Sequence, residues 1–171
     1  MVPNGRSLVS KGRAIRCYDY VNHPYEQVRN ALGEDALSVF QMATKSAVSR
    51  ARSVAAELRV DIGGVTVGAD IRISIKKIER TTAGAAVQPA THIHLEWEAA
   101  TLPKLFPLMQ AELSIYPLTA GETQLDFAGN YEPPLGFLGQ AVNALAGYRL
   151  AEVTVHRFVS DVAAHLRENL S

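Results

Sequence analysis

The sequence has a single cysteine, no net charge and no long apolar run, and each of these shortages excludes a class of protein. One cysteine, Cys17, excludes an intrachain disulfide framework and predicts a reducing compartment, the cytoplasm. The 17 basic and 17 acidic side chains balance, and no stretch concentrates Lys or Arg, so nucleic acid is not an expected partner. No apolar run approaches the roughly 20 residues of a membrane-spanning helix, so stable membrane insertion is not expected.

Catalytic signatures are also missing from the sequence. It contains no Gly-rich phosphate loop, no Walker motif, no nucleophile elbow and no metalloprotease helix. Catalytic residues therefore stay unassigned, and no cofactor is expected. Cys17 lies in a predicted strand beside Tyr18. We interpret it as a small apolar side chain that packs in the core, and not as a nucleophile.

The chain is expected to form one domain after a short tail. Residues 1–12 are polar and lack the apolar segment of a secretory signal, so we predict a flexible N-terminal tail. Residues 13–171 are long enough to bury a core and contain no linker-like segment, which favours a single domain.

Alternation of apolar and polar residues predicts an antiparallel sheet with one buried face. Gly63-Gly64 separates two alternating runs and is a two-residue hairpin signal. We predict six strands, or seven if a long run breaks. The predicted strands are residues 13–22, 54–62, 65–75, 93–97, 111–115 and 123–127.

Two short helices and one long helix are predicted around this sheet. Tyr25–Leu32 follows Pro24, Gly33 ends it, and a second helix runs over residues 34–50. Residues 137–169 have the helical period. A sheet with one apolar face must bury it, and the long helix is the element available. We therefore predict an α+β helix-grip fold, a curved antiparallel sheet wrapped around the C-terminal helix.

The inward stripe of the long helix changes in size along its length. Its first half carries Ala141, Ala144 and Ala151, whereas its second half carries Val155 and Leu166. Small side chains beneath a curved sheet leave volume, so we predict a cavity under the first half. The alternative is that bulky sheet residues, chiefly Trp97 and Phe127, fill this space.

The residues expected to bind a ligand lie on the inward sheet face and on the first half of the helix. Tyr148 would supply a polar group, and Tyr131 would lie at the mouth of the cavity. The expected set is Ile71, Ile73, Ile93, Leu95, Trp97, Leu113, Ile115, Leu125, Phe127, Tyr131, Ala141, Ala144, Leu145 and Tyr148.

Two polar features offer alternatives to simple ligand binding. His92 and His94 share the outer face of a strand with Glu96, a ligand set that zinc or iron could use. Pairing with charges on neighbouring strands explains the same pattern, so no metal site is assigned. Asp19 is either a buried carboxylate able to act as an acid or base, or a residue of an edge strand or of a bulge that turns it outward; the second interpretation is favoured.

Two segments resemble the START-like helix-grip superfamily (SRPBCC), and bacterial members in particular. They are "YVNHPYEQVRNAL" at residues 20–32 and "AELSIYPLTAGETQLDFAGNYEPPLGFLG" at residues 111–139, within a resemblance that covers residues 13–170. The resemblance implies a sheet wrapped around the last helix, with the first strand beside the last. It also implies a group that includes lipid carriers, hormone receptors, polyketide cyclases or dehydrases, aromatases and co-chaperone domains, among which fold cannot choose.

Three functions therefore stay open. The leading one is binding or transport of a small hydrophobic or amphipathic molecule in the predicted cavity. The second is an enzyme similar to polyketide cyclases and aromatases, working without metal, which requires several polar side chains to converge inside the cavity. The third is a protein-interaction domain with a filled core and an exposed apolar patch.

Overall fold

A computed structural model describes residues 12–58, 71–99, 109–131 and 141–171. Over these residues the protein is α+β, with one antiparallel five-stranded sheet and a long C-terminal helix. The elements in chain order are β1 (Arg13–Val21), α1 (Tyr25–Leu58), β2 (Ile71–Thr81), β3 (Ala90–Ala99), β4 (Met109–Thr119), β5 (Glu122–Tyr131) and α2 (Ala141–Asn169).

The strand order is β1-β5-β4-β3-β2, so the first strand pairs with the last. The family resemblance implies this arrangement. Consecutive strands β2 to β5 are neighbours, and β1 crosses to the far edge beside β5. The order of elements and of strands gives the chain a START-like, helix-grip fold.

Residues directly opposite one another form transverse rows on the inner face of the sheet, and three of these rows lie between one end of the sheet and its middle. We name each of these three rows after one member, in order from that end. The Trp97 row contains Ile73, Trp97, Met109, Tyr131 and Arg13; the Ala111 row contains Ile75, Leu95, Ala111, Gly129 and Ile15; the Leu113 row contains Ile78, Ile93, Leu113, Phe127 and Cys17.

A register shift in β2 keeps the inner face of this strand apolar. Ile75 pairs with Leu95, but the next pair joins Lys77 to His94, so Lys76 is an extra residue. The extra residue changes the alternation, and Ile78 rather than Lys77 lies opposite Ile93. The β-bulge therefore places Ile78 on the inner side of β2, although at this edge of the sheet the residue is 44% exposed.

The predicted strand count is not confirmed, because part of one predicted strand is helical. Residues 54–58 lie in α1, whereas residues 59–62 and the Gly63-Gly64 hairpin lie outside the described residues. Val54 and Leu58 are four residues apart, a spacing that fits one helix face as well as one strand face. The alanines between them favour the helix.

Two short helices after β1 are not confirmed either. The helical segment is 34 residues long and has one non-helical residue, Asp35 (φ −148°, ψ 43°). The carboxylate of Asp35 accepts a hydrogen bond from the backbone N–H of Ser38 at 3.4 Å, as a helix cap does. The break therefore lies two residues beyond Gly33, and the second segment extends to Leu58 instead of Arg50.

The second half of α2 packs into the sheet as its inward stripe predicts. Val155, Val159, Val162 and Leu166 are buried. Phe158, which the sequence places at the margin of the stripe, is fully buried at the centre of the core. None of the helices in the described residues has the length and apolar character needed to span a membrane.

Candidate functional site

An aromatic cluster occupies the interior beneath the middle of α2. Phe158 of α2 lies with its ring centroid 5.3 Å from that of Trp97, 5.5 Å from that of Phe40 and 6.2 Å from that of Phe127. Trp97 and Phe127 also pack edge to face at 5.8 Å. Trp97 belongs to the end row of the sheet, yet its ring reaches Phe127 two rows away. The interior at this level is therefore filled by the two residues that the alternative to a cavity names.

Tyr131 and Tyr148 meet at the end of the interior beyond this cluster. Their ring centroids are 6.4 Å apart in an edge-to-face arrangement. Tyr131 is 8% exposed, and burial raises the pKa of its hydroxyl. A Cβ atom added at Gly147 would lie 2.8 Å from the Tyr131 hydroxyl oxygen, so this glycine lets α2 approach the tyrosine closely.

The sequence analysis expects Tyr148 to supply a polar group to the cavity, but in the structure its hydroxyl is bound to β1. Its hydroxyl donates a hydrogen bond to the backbone carbonyl of Ala14 at 3.2 Å. The Arg13 guanidinium also lies over its ring, 4.1 Å from the centroid. Tyr148 therefore joins α2 to β1, and Tyr131 is the tyrosine whose hydroxyl lies between the helix and the sheet.

We define the end site as Ile73, Trp97, Met109, Tyr131, Gly147 and Tyr148. The structure brings four predicted ligand-binding residues into it: Ile73, Trp97, Tyr131 and Tyr148. Five others are buried deeper, away from the end row: Ile93, Leu113, Ile115, Leu125 and Phe127. Leu95 is buried in the Ala111 row between the two groups. The side chains of Ile71, Ala141, Ala144 and Leu145 lie outside the described part of the structure.

Sequence reasoning missed two members of the end site. Met109 is 7% exposed and precedes Ala111 by two residues, so extending the alternating run of β4 backwards would have found it. Gly147 lies in a helix interior, where glycine costs roughly 1 kcal/mol relative to alanine. Such a glycine is a signal of close packing, although it does not reveal the partner.

The indole nitrogen of Trp97 differs from the other buried polar groups. It is buried and has no hydrogen-bond partner among the described residues. The four buried threonines of the described residues each have one. Thr44 and Thr154 donate to helix carbonyls four residues earlier, at 2.6 and 2.7 Å. The Thr91 hydroxyl bonds that of Tyr25 at 2.7 Å, and Thr123 donates to the His23 carbonyl at 2.8 Å.

The histidines of β3 pair with charges on the neighbouring strands, as cross-strand pairing predicts. His92 Nδ1 lies 2.8 Å from Glu112 Oε1, and His94 Nε2 lies 2.9 Å from Glu79 Oε2. Ser114 donates to Glu112 at 2.6 Å. This bond lowers the pKa of the Glu112 carboxyl, and the hydrogen bond with His92 lowers it further. Within the described ranges, no three His, Cys, Asp or Glu residues are arranged to hold a metal ion.

Asp19 lies on the inner side of β1 but at the edge of the sheet. It shares a strand face with the buried Cys17 and Val21, yet its side chain stays partly exposed. Arg167 of α2 donates to its carboxylate at 2.5 Å and to the Tyr20 carbonyl at 2.6 Å. β1 is an edge strand, as the favoured interpretation expects, but Asp19 is not turned outward. The suggested bulge is wrong, because the β1–β5 register is continuous.

Cys17 is buried on the inner face of β1. Burial is the main cause that raises the pKa of its thiol to about 12, and its Sγ lies 3.9 Å from the Val155 carbonyl oxygen. Because the thiolate is the reactive form, we expect Cys17 to react at pH 8 with a disulfide reagent at least about 100 times more slowly in the native protein than in urea. Absorbance of the released thiol measures both rates, and equal rates would show that Cys17 is accessible.

A depression lies where α2 meets β1 and α1, and it shares no residue with the end site. It encloses about 580 Å³ and includes Arg50, Glu152, His156 and Arg157 in its walls. Cys17 contributes to its floor although this residue is only 6% exposed. Arg157 is already paired with Asp161 at 2.9 Å. The depression is open and mixed in charge, and none of the residues predicted to bind an apolar ligand lines it.

No protein-family model matches the chain, and no curated protein matches it. Several solved structures are similar. A START superfamily protein from Mycobacterium smegmatis is 12% identical with a TM-score of 0.49, over 92% of this chain and 99% of that chain. The Zhui aromatase/cyclase from Streptomyces sp. R1128 is 13% identical with a TM-score of 0.47, over 91% and 94%. A conserved protein from Geobacillus kaustophilus is 12% identical with a TM-score of 0.48, over 93% and 98%. Likenesses at these identities concern the fold and assign no ligand or reaction.

Proposed function

We propose that the protein binds a small hydrophobic or amphipathic molecule at the end site, between the Trp97 row and the first turns of α2. One observation carries this proposal, an asymmetry of the interior. The aromatic cluster seals the interior towards the C-terminal half of α2. Tyr131 and the backbone of Trp97 belong to the row at the opposite end, and the Trp97 N–H has no partner among the described residues. Apolar walls with a few polar groups are typical of small-molecule sites.

The width of the Trp97 row sets the size of the proposed ligand at one or two rings. Trp97 and Tyr131 lie in the same row two strands apart, which separates their Cα atoms by about 10 Å. Met109 lies between them, and α2 covers the row through Gly147. A ligand that buries about 250 Å² of apolar area would gain about 6 kcal/mol, equivalent to a Kd of about 50 μM.

A second candidate function is a protein-interaction domain with a filled core. The aromatic cluster favours it, because the rings of Trp97, Phe127 and Phe158 pack against one another in the middle of the interior. Tyr18 and Tyr20 on the edge strand β1 are 71% and 53% exposed and could contact a partner. This function predicts that no small hydrophobic molecule stabilises the protein.

Two measurements test the proposal. Native mass spectrometry of the purified protein would detect a retained small molecule, which extraction then identifies. A probe panel of 2-naphthol, 1-anilinonaphthalene-8-sulfonate and palmitate would next be titrated while Tm and the fluorescence of Trp97 are followed. Because Trp97 is the only tryptophan, the emission comes from one residue, which lies in the Trp97 row and packs against the aromatic cluster.

We expect at least one probe to change the Trp97 emission and to raise Tm by about 4 °C at ten times its Kd. Heat-denatured protein under the same probe concentrations is the control for non-specific quenching. A clean apo mass together with no response to any probe would contradict the proposal and favour the interaction domain.

A further inference from the structure

The Trp97 indole N–H is a buried hydrogen-bond donor whose described neighbours offer few acceptors. The residue is 4% exposed, and its nitrogen has no partner within the described part of the chain. Among the described rings, those of Phe127 and Phe158 pack against the indole with centroids 5.8 and 5.3 Å away, and neither carries an acceptor oxygen. Its neighbours in the row are Ile73 and Met109, of which only the thioether is even a weak acceptor.

An unsatisfied buried donor is costly, and native proteins rarely keep one. A buried water molecule would need two to four polar partners, which these apolar neighbours do not supply. A ligand oxygen needs only the one hydrogen bond, because the rest of the ligand can bury its apolar surface against the same neighbours. The surroundings of the Trp97 N–H therefore favour a hydrogen-bond acceptor that is part of a hydrophobic molecule.

The absence of charged side chains from the described interior indicates whether the ligand is charged or neutral. Its buried polar and charged side chains are four threonines, with no arginine or lysine among them. The cation in the same row, Arg13, lies three strands from Trp97 and over the ring of Tyr148. A carboxylate brought directly against Trp97 would therefore lose its hydration without an adjacent counter-ion, which is unfavourable. A neutral carbonyl oxygen loses much less hydration and accepts the same hydrogen bond.

We infer that Trp97 is a specificity-determining residue of the end site and donates its N–H to a neutral carbonyl oxygen of a hydrophobic ligand. This inference rests on the proposed function, because it names the class of molecule that the end site takes. The indole ring forms part of the wall, and its N–H distinguishes ligands that carry an acceptor from those that do not. Tyr131, whose hydroxyl lies between α2 and the sheet, belongs to the same row two strands away.

The test compares two naphthalene probes of nearly the same shape. 2-Acetylnaphthalene carries a carbonyl oxygen, and 2-isopropenylnaphthalene replaces it with a methylene group. Calorimetric titration of the wild-type protein should show the ketone binding about tenfold more tightly. In protein with ¹⁵N-labelled tryptophan, the single indole N–H resonance should move downfield with the ketone and not with the hydrocarbon.

The Trp97→Phe variant removes the indole N–H but keeps an aromatic ring at this position, so it tests the two contributions separately. We expect it to bind both probes with nearly equal affinity, and to bind the hydrocarbon within about threefold of the wild-type affinity. Should this variant fail to fold, the affinity ratio and the indole resonance of the wild-type protein decide the question by themselves.

Failure of the inference is distinguishable from failure of the proposed function. Equal affinity of the two probes for the wild-type protein, with an unmoved indole resonance, would overturn the role of Trp97 while leaving hydrophobic binding intact. Tighter binding of 2-naphthoate than of the ketone would overturn the neutral class. Binding of none of the three probes would overturn the proposed function itself.

Discussion

Replacing Phe158 with alanine is expected to lower the free energy of unfolding by about 3–5 kcal/mol. Phe158 is fully buried, and its ring packs against those of Phe40, Trp97 and Phe127, from α1, β3 and β5. Truncation removes the buried ring and leaves a cavity where three elements meet α2. Urea denaturation followed by the fluorescence of Trp97 measures the change, since this tryptophan touches the ring that is removed.

Two variants control for general effects of changing α2. His156→Ala alters an exposed residue two positions away, and we expect a change within about 0.5 kcal/mol. Phe158→Leu keeps part of the apolar volume and should lie between the alanine variant and the wild type. A loss below about 1 kcal/mol in Phe158→Ala would show that the aromatic cluster does not form the packed centre of the domain.

Replacing Gly147 with leucine is expected to weaken ligand binding at the end site by at least about tenfold. A Cβ atom at this position already lies 2.8 Å from the Tyr131 hydroxyl oxygen. The larger side chain would therefore displace the tyrosine and occupy space between α2 and the sheet. Overpacking costs about 1–3 kcal/mol, and the better helix propensity of leucine offsets up to about 1 kcal/mol of this. The variant should therefore fold but lose affinity.

Arg149→Leu is the matched control, because it introduces the same side chain on the same helix at an exposed position. Its Kd for whichever probe binds the wild-type protein should stay within about twofold. Calorimetric titration of both variants with that probe measures the difference. A folded Gly147→Leu variant with wild-type affinity would place the bound molecule elsewhere, for example in the depression where α2 meets β1 and α1.

The buried faces of the strands and of α2 were predictable from the sequence, because their apolar residues recur every two residues or with the helical period. The inner faces of β3, β4 and β5 follow directly from their alternation, since a period of two places every second residue on one side. The buried stripe of α2 from Val155 to Leu166 follows in the same way from its helical period. Cross-strand pairing of His92 and His94 also needed only the neighbouring strands of the predicted sheet.

The errors arose where one local pattern fits two structures. Residues 54–58 alternate like a strand, but their spacing and alanine content also fit the helix that precedes them. Gly33 is a reasonable helix terminator, yet the chain breaks its helix at Asp35, whose carboxylate caps the next turn. Continuation of an existing helix is favourable because each added residue contributes one hydrogen bond without a new nucleus.

The sequence by itself determined which side chains face the interior and that a long helix covers them, because both depend on neighbours a few residues away. Only the tertiary structure decided which of these side chains meet. Tyr148 bonds the carbonyl of Ala14, 134 residues earlier, and so leaves Tyr131 as the hydroxyl between helix and sheet. Trp97 packs on Phe158 and fills the middle of the interior, which confines the proposed ligand to one end. Such contacts depend on the relative placement of α2 and the sheet, and no periodicity within either element encodes that placement.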